Sequence, residues 1–82
     1  MTKAAPGEID AIGLLCPLPV LKLQKALRAL KPGQQVTLLA TDPASRIDVP
    51  YFCAQSGNTV IETREENETL IYLVERGSDP KA

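Results

Sequence analysis

Residues 8–33, EIDAIGLLCPLPVLKLQKALRALKPG, change their hydrophobic period once, and that change decides the fold. Glu8 to Ile12 alternates, with Ile9 on one face and Glu8 and Asp10 on the other, as a half-buried strand does, and Gly13 ends it. From Pro17 to Leu30 the apolar positions Val20, Leu23, Leu27 and Leu30 recur every three or four residues, which is one face of a helix. Lys22, Lys25, Arg28 and Lys31 fall on the opposite side, and Pro32-Gly33 supplies the helix stop.

Working outward, Val36 to Thr41 reads as a short buried strand running into Asp42-Pro43, a helix-cap or turn signal. The sequence predicts a second helix over about Val49 to Gln55, capped by Asp48, with Pro50 in its first turn and Gly57 just past its end. Thr59 to Arg64 and Thr69 to Glu75 follow as strands joined by Glu65-Glu66-Asn67-Glu68, an acidic hairpin turn. The order β-α-β-α-β-β most simply gives an α/β (α+β) two-layer sandwich, a mixed four-stranded sheet with both helices on one face. A chain of 82 residues accommodates one domain, expected to span 1–82, with 1–7 and 77–82 as flexible tails.

Composition excludes several classes of function. A formal net charge of −1 with 23% charged residues argues against a strongly basic nucleic-acid binder and against disorder. Two cysteines and no histidine leave no structural zinc site, no metal or other cofactor is expected, and Ser-His-Asp and Cys-His catalysis are out of reach of this chain. The N-terminal residues hold no signal-peptide core, and no stretch approaches the roughly twenty apolar residues of a membrane span. A cytoplasmic protein is expected, with Cys16 and Cys53 as free thiols.

Cys16 carries the chemistry. If Pro17 occupies the first helical position, Cys16 becomes the cap residue, its sulfur lies over the positive end of the helix dipole, and the Leu18 amide is free to donate to a thiolate. Such placement lowers a thiol pKa, and Pro17 with Pro19 restricts the first turn that holds the sulfur. A buried, inert cysteine is the blander reading. Against it, a chance Cys-Pro-x-Pro is expected only roughly 0.015 times in a chain with this many cysteines and prolines. Cys53 has nothing in the nearby sequence to activate it and reads as structural, with a resolving-thiol role as the lesser alternative. Asp42 and Asp48, each followed by proline within two residues, read as caps, with a catalytic duty as the lesser alternative.

Asp10-Ala11-x-Gly13-Leu14-x-Cys16-Pro17-x-Pro19, the Lys-rich helix, Pro32-Gly33, Thr41-Asp42-Pro43, Asp48-x-Pro50-x-Phe52 and Gly57-Asn58 together resemble the TusA/SirA-like family of small sulfur-carrier proteins over nearly the whole chain. The resemblance implies a sulfurtransferase whose signature cysteine, here Cys16, accepts sulfur as a persulfide and passes it on, with Gly13, Leu14, Pro17, Leu18 and Pro19 supporting the loop. It implies a donor of the cysteine desulfurase or rhodanese type, an acceptor protein with a reactive thiol, and destinations in tRNA thiolation, molybdenum-cofactor synthesis or sulfur oxidation. It also places Arg46 near the sulfur. Many members carry a polar residue before the cysteine and a glutamate between the prolines, where this chain has Leu15 and Leu18, which makes an apolar docking patch beside the sulfur the expectation.

The first helix holds four bases and no acid, leaving five bases against ten acids elsewhere. Lys22, Lys25 and Arg28 are therefore either a solvated face or candidates for docking an acidic protein partner, and Leu15, Asp42 and Arg46 are further candidates for partner docking. Direct nucleic-acid binding is disfavoured by the absence of aromatic interleaving. No membrane association is expected, and a carrier serving two partners in turn works as a monomer. A thiol redox sensor pairing Cys16 with Cys53, and a non-catalytic interaction module, stay open as alternatives.

Overall fold

A computed structural model describes residues 7–77. The order is β1 (Glu8–Ala11), α1 (Leu18–Arg28), β2 (Gln35–Ala40), α2 (Ser45–Ser56), β3 (Thr59–Glu66) and β4 (Thr69–Glu75), the β-α-β-α-β-β succession expected. The four strands lie in the order β1-β2-β4-β3, with β1 parallel to β2 and β4 antiparallel to both β2 and β3. Each helix thus crosses between parallel strands, and β4 inserts between the two that α2 connects.

Strand alternation sorts the sheet into two faces. Val36, Leu38 and Ala40 of β2 pair with Val74, Tyr72 and Leu70 of β4, and all six are buried beneath the helices together with Ala11. Leu23 and Leu27 of α1 and Val49 and Cys53 of α2 complete this core. Each fully buried large side chain contributes about 1.5–3 kcal/mol by leaving water. Thr37, Leu39, Ile71 and Leu73 point to the other face, where Glu62, Arg64 and Glu66 of β3 form a ladder of ion pairs. Val60 shares the core side, but a bulge between Val60 and Glu62 makes room for Ile61 and shifts the register of the rest of β3.

Several boundaries differ from expectation for identifiable reasons. α1 starts at Leu18, not Pro17, with Pro17 in the N-cap position and the Cys16–Pro17 peptide bond cis. It ends at Arg28, because the Ala29 and Leu30 amides turn back to the carbonyls of Ala26 and Leu27 and tighten the last turn before Pro32-Gly33. α2 begins four residues earlier than predicted. A turn at Asp42 leads into it, Asp42 Oδ1 accepting the Ala44 amide at 3.1 Å, so Asp48 lies inside the helix and Pro50 in the second turn, where it cannot bond the Arg46 carbonyl. Gly57 lies just past the end of α2, as predicted, and takes the left-handed conformation. β3 runs on to Glu66, leaving a two-residue turn, Asn67-Glu68, with both residues at positive φ, the geometry that suits the twist of a hairpin.

Residues 1–6 and 78–82, expected as tails, lie outside the described residues. Gly7 and Gly77, grouped with them from sequence, are tied in: the Gly7 carbonyl accepts the Thr37 amide at 2.7 Å and the Gly77 amide donates to Asn58 Oδ1 at 2.9 Å. Among the described residues, no helix is long and apolar enough to cross a membrane.

Candidate functional site

Because β1 and β2 run parallel with Ala11 beside Ala40, the chain leaves both strands at the same end of the sheet, and the two exits build one site. The first exit is pinned to the second. The Ile12 amide donates to Asp10 Oδ1 at 3.0 Å, the Leu14 amide to the Ala11 carbonyl at 3.1 Å, and the Gly13 amide to Thr41 Oγ1 at 2.9 Å. Gly13 holds φ at +83° with open space around it, so the backbone angle rather than crowding requires glycine.

Two carboxylates complete the site. Asp42 accepts the Cys16 amide on Oδ2 at 2.6 Å and the Ala44 amide on Oδ1, clamping the cysteine loop to the start of α2. The Cys16 thiol, exposed to solvent, donates to Asp48 Oδ2 at 2.6 Å. This overturns the expected electrostatics. The hydrogen bond to Asp48 raises the Cys16 pKa above the ordinary thiol value, as do slight desolvation and the charges of Asp48 and Asp42. The helix offers no counterweight: the Leu18 amide is bonded to the Leu15 carbonyl at 2.9 Å and Pro19 has none. The site thus holds the proton on Cys16 more tightly than an ordinary thiol does, the reverse of the dipole-stabilised thiolate expected.

Beside the sulfur, a groove of about 330 Å³ opens between the helices, lined by Cys16, Pro17, Val20, Asp48, Tyr51, Phe52 and Gln55. Its surroundings are apolar and exposed. Leu15, Ile47 and Tyr51 are each about two-thirds to three-quarters accessible (69%, 74% and 66%), and Leu18 and Leu21 about half (47% and 50%). Leu15 and Leu18 were singled out in the sequence; Leu21, Ile47 and Tyr51 were not. Their signal was available as large apolar side chains outside the core periodicity of each helix.

The remaining candidates are scattered. Leu14 is half-buried against the core and Pro19 fully buried, which anchors the loop from below. Lys22 Nζ donates to the Asp10 carbonyl at 3.1 Å, while Lys25 and Arg28 occupy the last turn of α1. Arg46 does not meet the sulfur: it pairs with Glu65 at 2.6 Å beside the β3–β4 hairpin. Cys53 is 2% exposed within the core, and burial pushes its thiol up to about 11. Among the described residues, no group of three or more His, Cys, Asp or Glu is arranged to hold a metal ion.

Comparison with known proteins adds to this geometry. The family model described as sulfurtransferase TusA matches residues 7–76. A protein named sulfur carrier protein TusA from Pseudomonas aeruginosa is 39% identical over 79 residues, 96% of this chain and 100% of that one. Its namesake from Allochromatium vinosum is 42% identical over 69 residues, 84% of this chain and 91% of the other. The crystal structure of a SirA-like protein from Desulfitobacterium hafniense superposes with a TM-score of 0.76 at 32% identity, covering 85% of this chain and 96% of that chain.

Proposed function

The chain belongs to the TusA sulfurtransferase family, and from that premise we propose that it is a sulfur-relay protein with Cys16 as the carrying residue. The observation that carries the reading is the position of the Cys16 thiol, exposed on a clamped loop at the mouth of an apolar groove. A sulfur atom bonded to Sγ stands about 2 Å beyond it. The thiol of a protein partner can reach an atom so placed without entering a deep pocket.

The relay runs in two steps. Cys16 takes the outer sulfur of a donor persulfide, of the cysteine desulfurase or rhodanese type, and then gives it to an acceptor protein thiol. Both steps are thiol–disulfide exchange in form, with no change in total oxidation state. The Leu15, Leu18, Leu21, Ile47 and Tyr51 collar supplies a desolvating contact for each partner in turn. Lys22, Lys25 and Arg28 extend the same exposed side of α1 away from the sulfur and steer the approach. A reducing compartment such as the cytoplasm keeps Cys16 free between cycles. The family points to tRNA thiolation, molybdenum-cofactor synthesis or sulfur oxidation as the consuming pathway, the choice lying with the acceptor.

Incubation with a cysteine desulfurase and cysteine, followed by intact-mass and peptide mass spectrometry, tests the proposal. One added sulfur on Cys16 is expected, absent in Cys16→Ser and present in Cys53→Ser. Sulfur retained by Cys16→Ser, or an internal disulfide in place of the adduct, overturns it.

A further inference from the structure

Sulfur transfer leaves the proton of the Cys16 thiol to be placed. Sγ must lose it to bond an incoming sulfur, and the sulfur displaced from the donor must gain one. The chain has no histidine to move it. The nearby cations are engaged elsewhere, Lys22 on the Asp10 carbonyl and Arg46 on Glu65. From the β2–α2 junction Asp42 faces the cysteine, but its two oxygens hold the Cys16 and Ala44 amides. From α2 come the Tyr51 phenol, which lines the groove, and Asp48, whose Oδ2 already accepts the thiol proton at 2.6 Å.

Building on the sulfur-carrier reading, we propose that Asp48 is a catalytic residue, the base that takes the Cys16 proton as Sγ attacks and the acid that returns it to the sulfur that leaves. In the loading step, Sγ bonds to the outer sulfur of a donor R–S–SH, the donor S–S bond breaks, and its electron pair stays on the inner sulfur. The proton passes from Sγ to Asp48 and from Asp48 to that thiolate, giving R–SH and Cys16–S–SH. In the unloading step an acceptor thiol gives its proton to Asp48 while attacking the outer sulfur, and Asp48 protonates the departing Sγ. No oxidant or reductant is consumed.

The same carboxylate makes two reactions of Cys16 diverge. Alkylation expels a halide, which needs no proton, and is held back by the raised thiol pKa. Sulfur transfer expels a thiolate, which does need one, and is assisted. Asp48→Asn, which keeps the size and an acceptor oxygen, is therefore expected to react faster with iodoacetamide at pH 7. Its loading from glutathione persulfide should slow by on the order of 100-fold. Asp48→Glu should recover much of the loading, which a merely structural defect would not allow. Thermal melts check folding, and Asp48→Ser replaces the Asn variant if that chain does not fold. Loading by the carboxylate-free variant at or above the wild-type rate overturns the inference and leaves the carrier reading standing. A wild-type chain that takes up no sulfur overturns both.

Discussion

The hydroxyls of Ser45 and Tyr72 share a buried hydrogen bond of 2.7 Å that joins the first turn of α2 to the inner strand β4. Both residues are almost wholly enclosed, at 2% and 0% exposure, so each is the other's means of leaving water without an unmet polar atom. Removing one partner strands the other. Tyr72→Phe is expected to destabilise the fold by about 1–3 kcal/mol, and Ser45→Ala by a similar amount. The double variant should lose less than the two separate losses combined, which urea melts of the four proteins measure directly. Strict additivity means the bond contributes nothing.

Alkaline stability should report Cys53. Burial raises this thiol from 9.0 to about 11, so the folded chain holds the proton more tightly than the unfolded one. The contribution is complete below pH 9 and is lost as pH climbs through 11, by roughly 3 kcal/mol in all. Tyr72, also raised by burial, falls out of a comparison between wild type and Cys53→Ala. Between pH 8 and pH 10.5 under reducing conditions, the wild-type midpoint in urea should fall more steeply than that of Cys53→Ala. Parallel slopes contradict the assignment.

The cations of α1 should matter for encounter and not for the intrinsic reactivity of the sulfur. Lys25 and Arg28 lie about 10 and 15 Å along the helix from Leu18, beyond the roughly 8 Å over which exposed charges act at physiological salt, and Lys22 donates to the Asp10 carbonyl, not to the sulfur. Lys22→Glu with Lys25→Glu should leave iodoacetamide modification of Cys16 within about twofold of wild type. Loading by a cysteine desulfurase at low salt should slow severalfold, and high salt should bring wild type down toward the variant. Unchanged loading at low salt means these lysines are only solvated.

Contact with the partner should instead rest on the apolar collar. Leu15→Ser and Tyr51→Ser alter exposed side chains, so stability should move by no more than about 0.5 kcal/mol. Each should cut loading by a protein donor about tenfold, equivalent to about 1.4 kcal/mol of lost contact, while loading from glutathione persulfide holds. An equal fall with both donors points to a disturbed loop in place of a lost contact.

Elements whose side chains reveal their faces were legible from the sequence, and contacts made across the fold were not. Thr69–Glu75 was read to the residue, because Leu70, Tyr72 and Val74 alternate with half-exposed neighbours. Asp48-Val49-Pro50 fits a helix start so well that it masks the true start at Ser45, and only the fold shows that the Asp42 carboxylate holds the Ala44 amide before that start and the Cys16 amide across the site. The importance of Cys16 followed from local spacing, whereas its thiol's partner sits 32 residues away and reverses the direction of its pKa shift. Local rules place a sulfur over a helix end; they do not say which acid a second helix brings to it.

The sheet also determines at which of its ends Gly7 and Gly77 lie. Glu8 pairs with Thr37 and Glu75 with Gln35, so Gly7 and Gly77 lie at the end of the strands opposite to Ala11, Ala40 and the cysteine loop. Polypeptide joined at Gly7 or Gly77 therefore sets out from the far pole of the molecule. Gly7 and Gly77 thus stand together at one pole, and Cys16 at the other.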